Sequence, residues 1–157
     1  MTDSVQRMVT RFLTGLVFTV MSLGSQASTT VLIYGDSLSA GYGMESTESW
    51  VALLEEQLKR KYKVSVVNAS VSGETTSGGK ARLGNVLNQH NPDIVVLELG
   101  GNDGLRGQPL NLMTQNLQAM ITDLRARGTQ VVLAGMQIPP NYGPRYTREF
   151  KQVFESL

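Results

Sequence analysis

The sequence predicts an α/β protein in which a parallel β-sheet carries α-helices on both faces. Short apolar runs typical of buried strands alternate four times with longer segments whose apolar residues recur at helical spacing. The third run, residues 94–99, is almost continuously apolar, as expected for a strand in the middle of a parallel sheet. The chain has 157 residues, of which 41% are hydrophobic and 17% charged, so it suits one folded domain with a hydrophobic core.

Strands and helices are predicted in strict alternation along the chain. We expect strands at residues 31–34, 64–67, 94–99 and 131–134, and helices at 47–61, 77–89, 110–127 and across the apolar positions from 146 to 157. In the second helix, Ala81, Leu83 and Leu87 are expected to face inward, and Pro92 follows its end. Gly128 stands where a glycine commonly ends a helix.

The amino-terminal segment, residues 1–27, has the composition of a secretory signal. Two arginines precede the apolar run 12–21, and small residues stand at Ser25 and Ala27, which predicts cleavage after Ala27 and a mature domain spanning 28–157. A membrane anchor is the alternative, but a spanning helix needs about 20 apolar residues. We therefore expect a periplasmic or secreted protein without a stable membrane anchor.

Composition excludes several classes of function. The formal net charge is +1 and the basic residues are scattered, whereas a nucleic-acid partner would require a clustered basic face. The chain has no cysteine, so disulfides, a thiolate nucleophile and thiolate metal ligands are excluded. Its single histidine, His90, falls at the predicted end of a helix, just before the third strand.

Polar, glycine-rich segments follow each of the first three predicted strands. They are residues 35–39 (Gly-Asp-Ser-Leu-Ser), 68–75 (Asn-Ala-Ser-Val-Ser-Gly-Glu-Thr) and 100–104 (Gly-Gly-Asn-Asp-Gly). Ligands of open parallel sheets bind outside the carboxyl ends of the strands. The sequence therefore predicts that the three segments share one cleft.

Ser37 is the candidate nucleophile in this cleft. Gly73 can present a backbone N–H without a side chain in the way, and Asn102 can donate from its amide group. A serine hydroxyl with convergent donors suits acyl transfer through a tetrahedral intermediate. Taken singly, each segment is more typical of a turn or a cap than of a catalytic site; the three segments together favour a site. The pattern differs from the Gly-x-Ser-x-Gly elbow, because Ser39 occupies the place of the second glycine.

These segments resemble the sequence blocks of the GDSL, or SGNH, hydrolase family. Residues 35–42, 68–75 and 100–107 are similar to its blocks I, II and III. Residues 136–143 are similar to the loop after strand four in the branch that holds periplasmic thioesterases, arylesterases and lysophospholipases. The resemblance runs from about residue 30 to residue 157.

The resemblance implies a fold, a reaction and a set of catalytic residues. The fold would be a three-layer, flavodoxin-like α/β/α sandwich with a parallel sheet in the order 2-1-3-4-5. The reaction would be hydrolysis of a small acyl ester or thioester through an acyl-enzyme on Ser37. The N–H groups of Ser37 and Gly73 and the side chain of Asn102 would form the oxyanion hole. No metal, cofactor or nucleic-acid partner is implied, and we expect a monomer.

The chain departs from the family in one respect. Family members carry an Asp-x-x-His pair beyond strand five, and no such sequence occurs among these 157 residues. His90 is expected where the chain enters the third strand, at the amino end of the sheet. Ser37 is expected at the carboxyl end, so His90 cannot take the place of the family's histidine. We therefore expect a carboxyl-terminally incomplete member, without strand five and without the general base, and inactive on its own. The alternatives are an acyl-binding relative that does not catalyse, or a carbohydrate O-deacetylase of the same fold.

The acyl pocket is expected to be lined by residues of two segments. These segments leave the carboxyl ends of the third and fourth strands, and their candidate substrate-binding residues are Leu105, Met136, Ile138, Pro139 and Tyr142. Packing within the loops is the alternative role of these residues.

Overall fold

The computed structural model describes residues 28–157; the predicted export signal, residues 1–27, lies outside the described residues. The strands are β1 (Thr29–Gly35), β2 (Val64–Asn68), β3 (Ile94–Glu98) and β4 (Gln130–Leu133). All adjacent strands are parallel, and their order is β2-β1-β3-β4. The predicted fold class and strand order are confirmed for the four strands described.

Helices connect the strands and cover the sheet. They are α1 (Ser37–Ala40), α2 (Trp50–Lys61), α3 (Thr76–His90), α4 (Gly101–Leu105), α5 (Leu110–Ala126) and α6 (Pro144–Ser156), with single 3₁₀ turns at Ser46–Glu48 and Pro140–Tyr142. The four predicted helices are present as α2, α3, α5 and α6. The short helices α1 and α4 occupy segments that the sequence predicted as turns or loops.

The helix predicted at residues 47–61 begins later than expected. The hydroxyl of Ser49 accepts a hydrogen bond from the Ala52 N–H (3.2 Å), so Ser49 caps α2 and the preceding residues form a 3₁₀ turn. Serine is favoured at this position because its side chain satisfies an N–H that has no partner inside the helix.

Strand β1 divides the interior into two layers. Leu32 and Tyr34 pack into the larger hydrophobic cluster with α3, α5 and α6, while Val31 and Ile33 pack against α2 on the other face. This division follows from the alternation of side chains along a strand. The sheet therefore has helices on both faces, as predicted.

Of the three residues of α3 that were expected to face inward, only two are buried. Leu83 and Leu87 are buried, but Ala81 is exposed and the expectation for it was wrong. Gly79 makes the close contact with the sheet: a Cβ atom there would overlap Leu99 Cδ1, and the Tyr34 hydroxyl donates to the Gly79 carbonyl (2.6 Å). The absence of a side chain at residue 79 thus decides how near α3 lies to the sheet.

Within residues 28–157, no helix combines the length and the apolar character that crossing a lipid bilayer requires.

Candidate active site

The nucleophile turn, residues 35–39, joins β1 to α1 at the carboxyl edge of the sheet. Asp36 caps α1, because its Oδ1 accepts a hydrogen bond from the Leu38 N–H (3.0 Å). Ser37 is the first residue of the helix and is half-buried, and the next side chain, Leu38, is 66% exposed. The candidate nucleophile therefore stands at an open edge of the fold.

Asn102 links the three glycine-rich segments. Its Nδ2 donates to Asp36 Oδ2 in the nucleophile turn (3.0 Å) and to the carbonyl oxygen of Glu74 in the loop after β2 (2.9 Å). Asn102 itself belongs to α4, which follows β3. The structure thus brings the three segments together, as their positions after parallel strands predicted.

The loop that carries Gly73 is held from two sides. The Val71 N–H donates to the Gly35 carbonyl (3.0 Å), and Arg106 Nη2 donates to the Gly73 carbonyl (3.1 Å). Gly73 has φ +78°, a conformation that favours glycine because it has no Cβ. Among the described residues, neither the Gly73 N–H nor the Ser37 N–H has a hydrogen-bond acceptor. Both are free to bind a negatively charged oxygen.

A cavity of about 440 Å³ opens beside Ser37 and Asn102. Four of the predicted substrate-binding residues line it: Leu105, Met136, Ile138 and Pro139. Tyr142 is not among the lining residues; its hydroxyl donates to the Leu105 carbonyl (3.0 Å) and so braces the wall from outside.

A buried carboxyl group, Glu98, lies behind the nucleophile turn at the end of β3. Its Oε2 accepts hydrogen bonds from Ser39 Oγ (2.6 Å) and from the Asp36 N–H (3.3 Å). Burial raises the pKa of Glu98 above its ordinary value; the bond from Ser39 opposes this rise, and the nearby Asp36 carboxylate adds to it. Glu98 is thus biased toward its neutral form.

Asp103, the neighbour of Asn102, anchors α4 to the start of α3. Its carboxylate accepts from the Thr76 N–H (2.8 Å) and from Thr76 Oγ1 (2.6 Å). Asn116 on α5 donates to the same Thr76 hydroxyl (3.2 Å). A carboxylate is well placed at a helix amino terminus, where N–H groups lack partners inside the helix.

The single histidine lies away from this cluster. His90 is the last residue of α3 and precedes β3, so it is at the amino edge of the sheet, whereas Ser37 is at the carboxyl edge. In the part of the chain that the structure describes, no three His, Asp or Glu side chains are grouped as metal ligands would be.

The family model of the GDSL-like lipases and acylhydrolases matches residues 33–157, which include the whole of this cluster. The chain belongs to this family.

The chain is also similar to individual esterases and thioesterases, in sequence and in structure. The chain is 47% identical over 146 residues to Esterase TesA of Pseudomonas aeruginosa, covering 92% of this chain and 73% of that protein. It is 43% identical over 142 residues to Thioesterase 1/protease 1/lysophospholipase L1 of Escherichia coli K12, covering 90% of this chain and 67% of that protein. Its structure is similar to the psychrotrophic esterase EstA from Pseudoalteromonas sp. inhibited by monoethylphosphonate, with a TM-score of 0.78 and 43% identity over 82% of this chain and 70% of that one.

The sequence pattern alone does not identify two polar residues of this site. Glu98 falls within a run predicted as a buried strand, but a lone carboxylate in an otherwise apolar run is itself a signal. Asp36 stands directly before Ser37 in the motif; aspartate is favoured as a helix cap, and its carboxylate accepts from the Leu38 N–H two residues on.

Proposed function

We propose that this chain hydrolyses carboxylic esters or thioesters through an acyl-enzyme on Ser37. The observation that carries the proposal is the link made by Asn102. Its amide nitrogen donates one hydrogen bond to the nucleophile turn, at Asp36, and another to the loop that carries Gly73, at the Glu74 carbonyl. A nucleophile and its candidate oxyanion donors are thereby assembled at one sheet edge.

The donors suit the charge that develops during acyl transfer. Attack by Ser37 Oγ forms the new C–O bond and moves negative charge onto the carbonyl oxygen of the substrate. The N–H groups of Ser37 and Gly73 are available to that oxygen. The Asn102 amide now donates to Asp36 and to the Glu74 carbonyl, and an oxyanion would compete with that neutral carbonyl because charged acceptors form stronger bonds. Loss of one such donor typically lowers kcat about 100- to 1,000-fold.

The cavity supports an acyl substrate. Leu105, Met136 and Ile138 present apolar surface next to Ser37, where the acyl chain of an ester or thioester would lie. The relatives' names, an esterase and a thioesterase/lysophospholipase, support the same class of substrate. Inhibition of EstA by monoethylphosphonate supports a tetrahedral intermediate, because a phosphonate has the shape and charge of one.

Ser37 needs a group that accepts its proton, and we propose that the 157 residues do not contain it. A serine without its histidine is a weak nucleophile. His90, at the opposite edge of the sheet, is badly placed for the task. The chain should therefore acylate slowly unless a base is supplied from solution.

Imidazole supplied in solution tests both parts of the proposal, that Ser37 is the nucleophile and that the 157 residues lack its general base. We expect release of p-nitrophenol from p-nitrophenyl esters to be slow with the chain alone and to rise with imidazole, above the background that a matched Ser37→Ala variant shows. A fluorophosphonate probe should add its mass at Ser37 and nowhere on the variant. Assays on acyl thioesters and on acetylated sugars distinguish a thioesterase from a carbohydrate O-deacetylase.

Each outcome of this experiment has a defined meaning. Equal rates for the chain and Ser37→Ala at every imidazole concentration, without labelling, would favour an acyl-binding protein that does not catalyse. Full turnover without imidazole would place the base inside the chain. Turnover confined to acetylated sugars would favour the O-deacetylase.

A further inference from the structure

Gly35 leaves a space behind the nucleophile turn that the Glu98 carboxyl group fills. A Cβ atom on Gly35 would overlap Glu98 Oε2 and would lie 2.8 Å from Ser39 Oγ. Both groups are buried, Glu98 with 7% of its surface exposed and Ser39 with none. The carboxyl group is therefore enclosed against the backbone that leads into Ser37.

The two hydrogen bonds to Glu98 come from either side of the nucleophile. Asp36 donates its N–H just before Ser37, and Ser39 donates its hydroxyl two residues after it, both to Oε2. The other oxygen, Oε1, is buried without a hydrogen-bond partner among the described residues. One oxygen atom thus holds both ends of the segment that presents Ser37.

We propose that Glu98 is a positioning residue that holds the nucleophile turn so that the Ser37 hydroxyl and N–H face the cleft. Glu98 is not among the residues that line the cavity, so it acts through the turn and not on the substrate. The inference rests on the proposed function of Ser37. Displacement of a reacting group by about 1 Å can cost about 100-fold in rate.

The chemistry of the side chain at position 98 defines informative variants. Glutamine keeps one acceptor oxygen for the two donors, whereas leucine has a similar size and no acceptor. Asn68 Nδ2 also holds the turn, because it donates to the Ser39 carbonyl (2.7 Å). This separate bond helps the turn to keep its fold in either variant.

The test measures how fast a fluorophosphonate probe labels Ser37 at a fixed imidazole concentration. We expect Glu98→Leu to lower the rate constant about 10- to 100-fold, and Glu98→Gln to restore most of it. Thr129→Val is the matched control. Thr129 is also 7% exposed and donates to the Pro92 carbonyl (3.1 Å), but it lies at the amino edge of the sheet. Its loss should destabilise the chain without slowing labelling.

Amide hydrogen exchange gives a second measurement that does not need a reactive serine. The Asp36 N–H should exchange faster in Glu98→Leu than in Glu98→Gln or Thr129→Val. If Glu98→Leu does not fold, Ser39→Ala removes one of the two donors and should slow labelling by a smaller factor.

Several results would overturn the inference. It fails if Glu98→Leu labels at the wild-type rate, or if it slows labelling no more than Thr129→Val does. Unlabelled wild-type protein would count against the proposed function of Ser37 instead, and exchange at Asp36 would then decide the role of Glu98 alone.

Discussion

The Glu98 carboxyl group holds its proton more tightly in the folded chain than in water. Burial is the main cause, since the charged form loses its hydration; the nearby Asp36 carboxylate raises the pKa of Glu98 further, and the hydrogen bonds from Ser39 and the Asp36 N–H oppose the rise. Its ordinary pKa of 4.5 applies to the unfolded chain. Ionisation of Glu98 above that pH therefore opposes folding, and the stabilising effect of its proton is fully present only below it.

Replacing Glu98 by glutamine should change how stability depends on pH. Well below pH 4.5 the side chain at position 98 is neutral in both proteins, folded or unfolded, and the difference in free energy of unfolding between them should be constant. As pH rises from there through the raised pKa, the wild type should lose stability relative to Glu98→Gln, which cannot ionise. Urea unfolding at a series of pH values measures this difference.

An exposed glutamate provides the control for the pH experiment. Glu56 on α2 pairs with Arg60 at the surface, where such pairs contribute little to stability. Glu56→Gln should therefore leave the pH profile of the wild type almost unchanged. Parallel profiles for the wild type and Glu98→Gln would show that Glu98 ionises as readily in the folded chain as in the unfolded one.

At the scale of elements, α4 depends on its neighbours for its existence. A helix of five residues, Gly101–Leu105, is far too short to be stable alone. Asp103 ties it to Thr76 at the start of α3, and Gly104 lets the Phe150 ring of α6 approach its backbone, because a Cβ at residue 104 would lie 2.5 Å from Phe150 Cε2. The position of Asn102 is thus decided by contacts with α3 and α6.

Replacing Asp103 by alanine should weaken both the fold and the site. The buried Thr76 N–H would lose its acceptor, and an unsatisfied buried donor costs about 1–3 kcal/mol. The free energy of unfolding should fall by that amount, and labelling of Ser37 should slow because Asn102 is adjacent. Asp123→Ala, an exposed position on α5, is the control. Equal stability of the two variants would contradict the anchoring role.

At the scale of the whole molecule, we propose that residues 1–27 direct export. The first described strand begins at Thr29, two residues after the proposed cleavage site, so removal of the segment would leave every described element intact. We expect the intact mass of exported protein to correspond to a chain that starts at Ser28. Ala27→Leu should block cleavage, since a small residue is required before the cut. Exported protein that retains residue 1 would contradict the proposal.

Much of the fold and part of the site follow from local sequence. The period of apolar residues located the four strands and the longer helices to within a few positions. Because the carboxyl ends of parallel strands meet at the same edge of a sheet, Ser37, Gly73 and Asn102 were expected together at that edge. The segments predicted as turns formed α1 and α4 instead, because Asp36 caps the first helix and contacts with α3 and α6 stabilise the second. Ala81 was misplaced because Gly79 makes the close approach.

The sequence by itself determined the alternation of strands and helices, the family and the candidate nucleophile, since these depend on local periodicity and on motifs. Only the tertiary structure decided what surrounds Ser37. Asn102 meets Asp36 across 66 positions, and Glu98 meets Ser39 across 59. Such contacts depend on how parallel strands align side by side. For this reason, the enclosed carboxyl group behind the nucleophile turn became visible only in the folded chain.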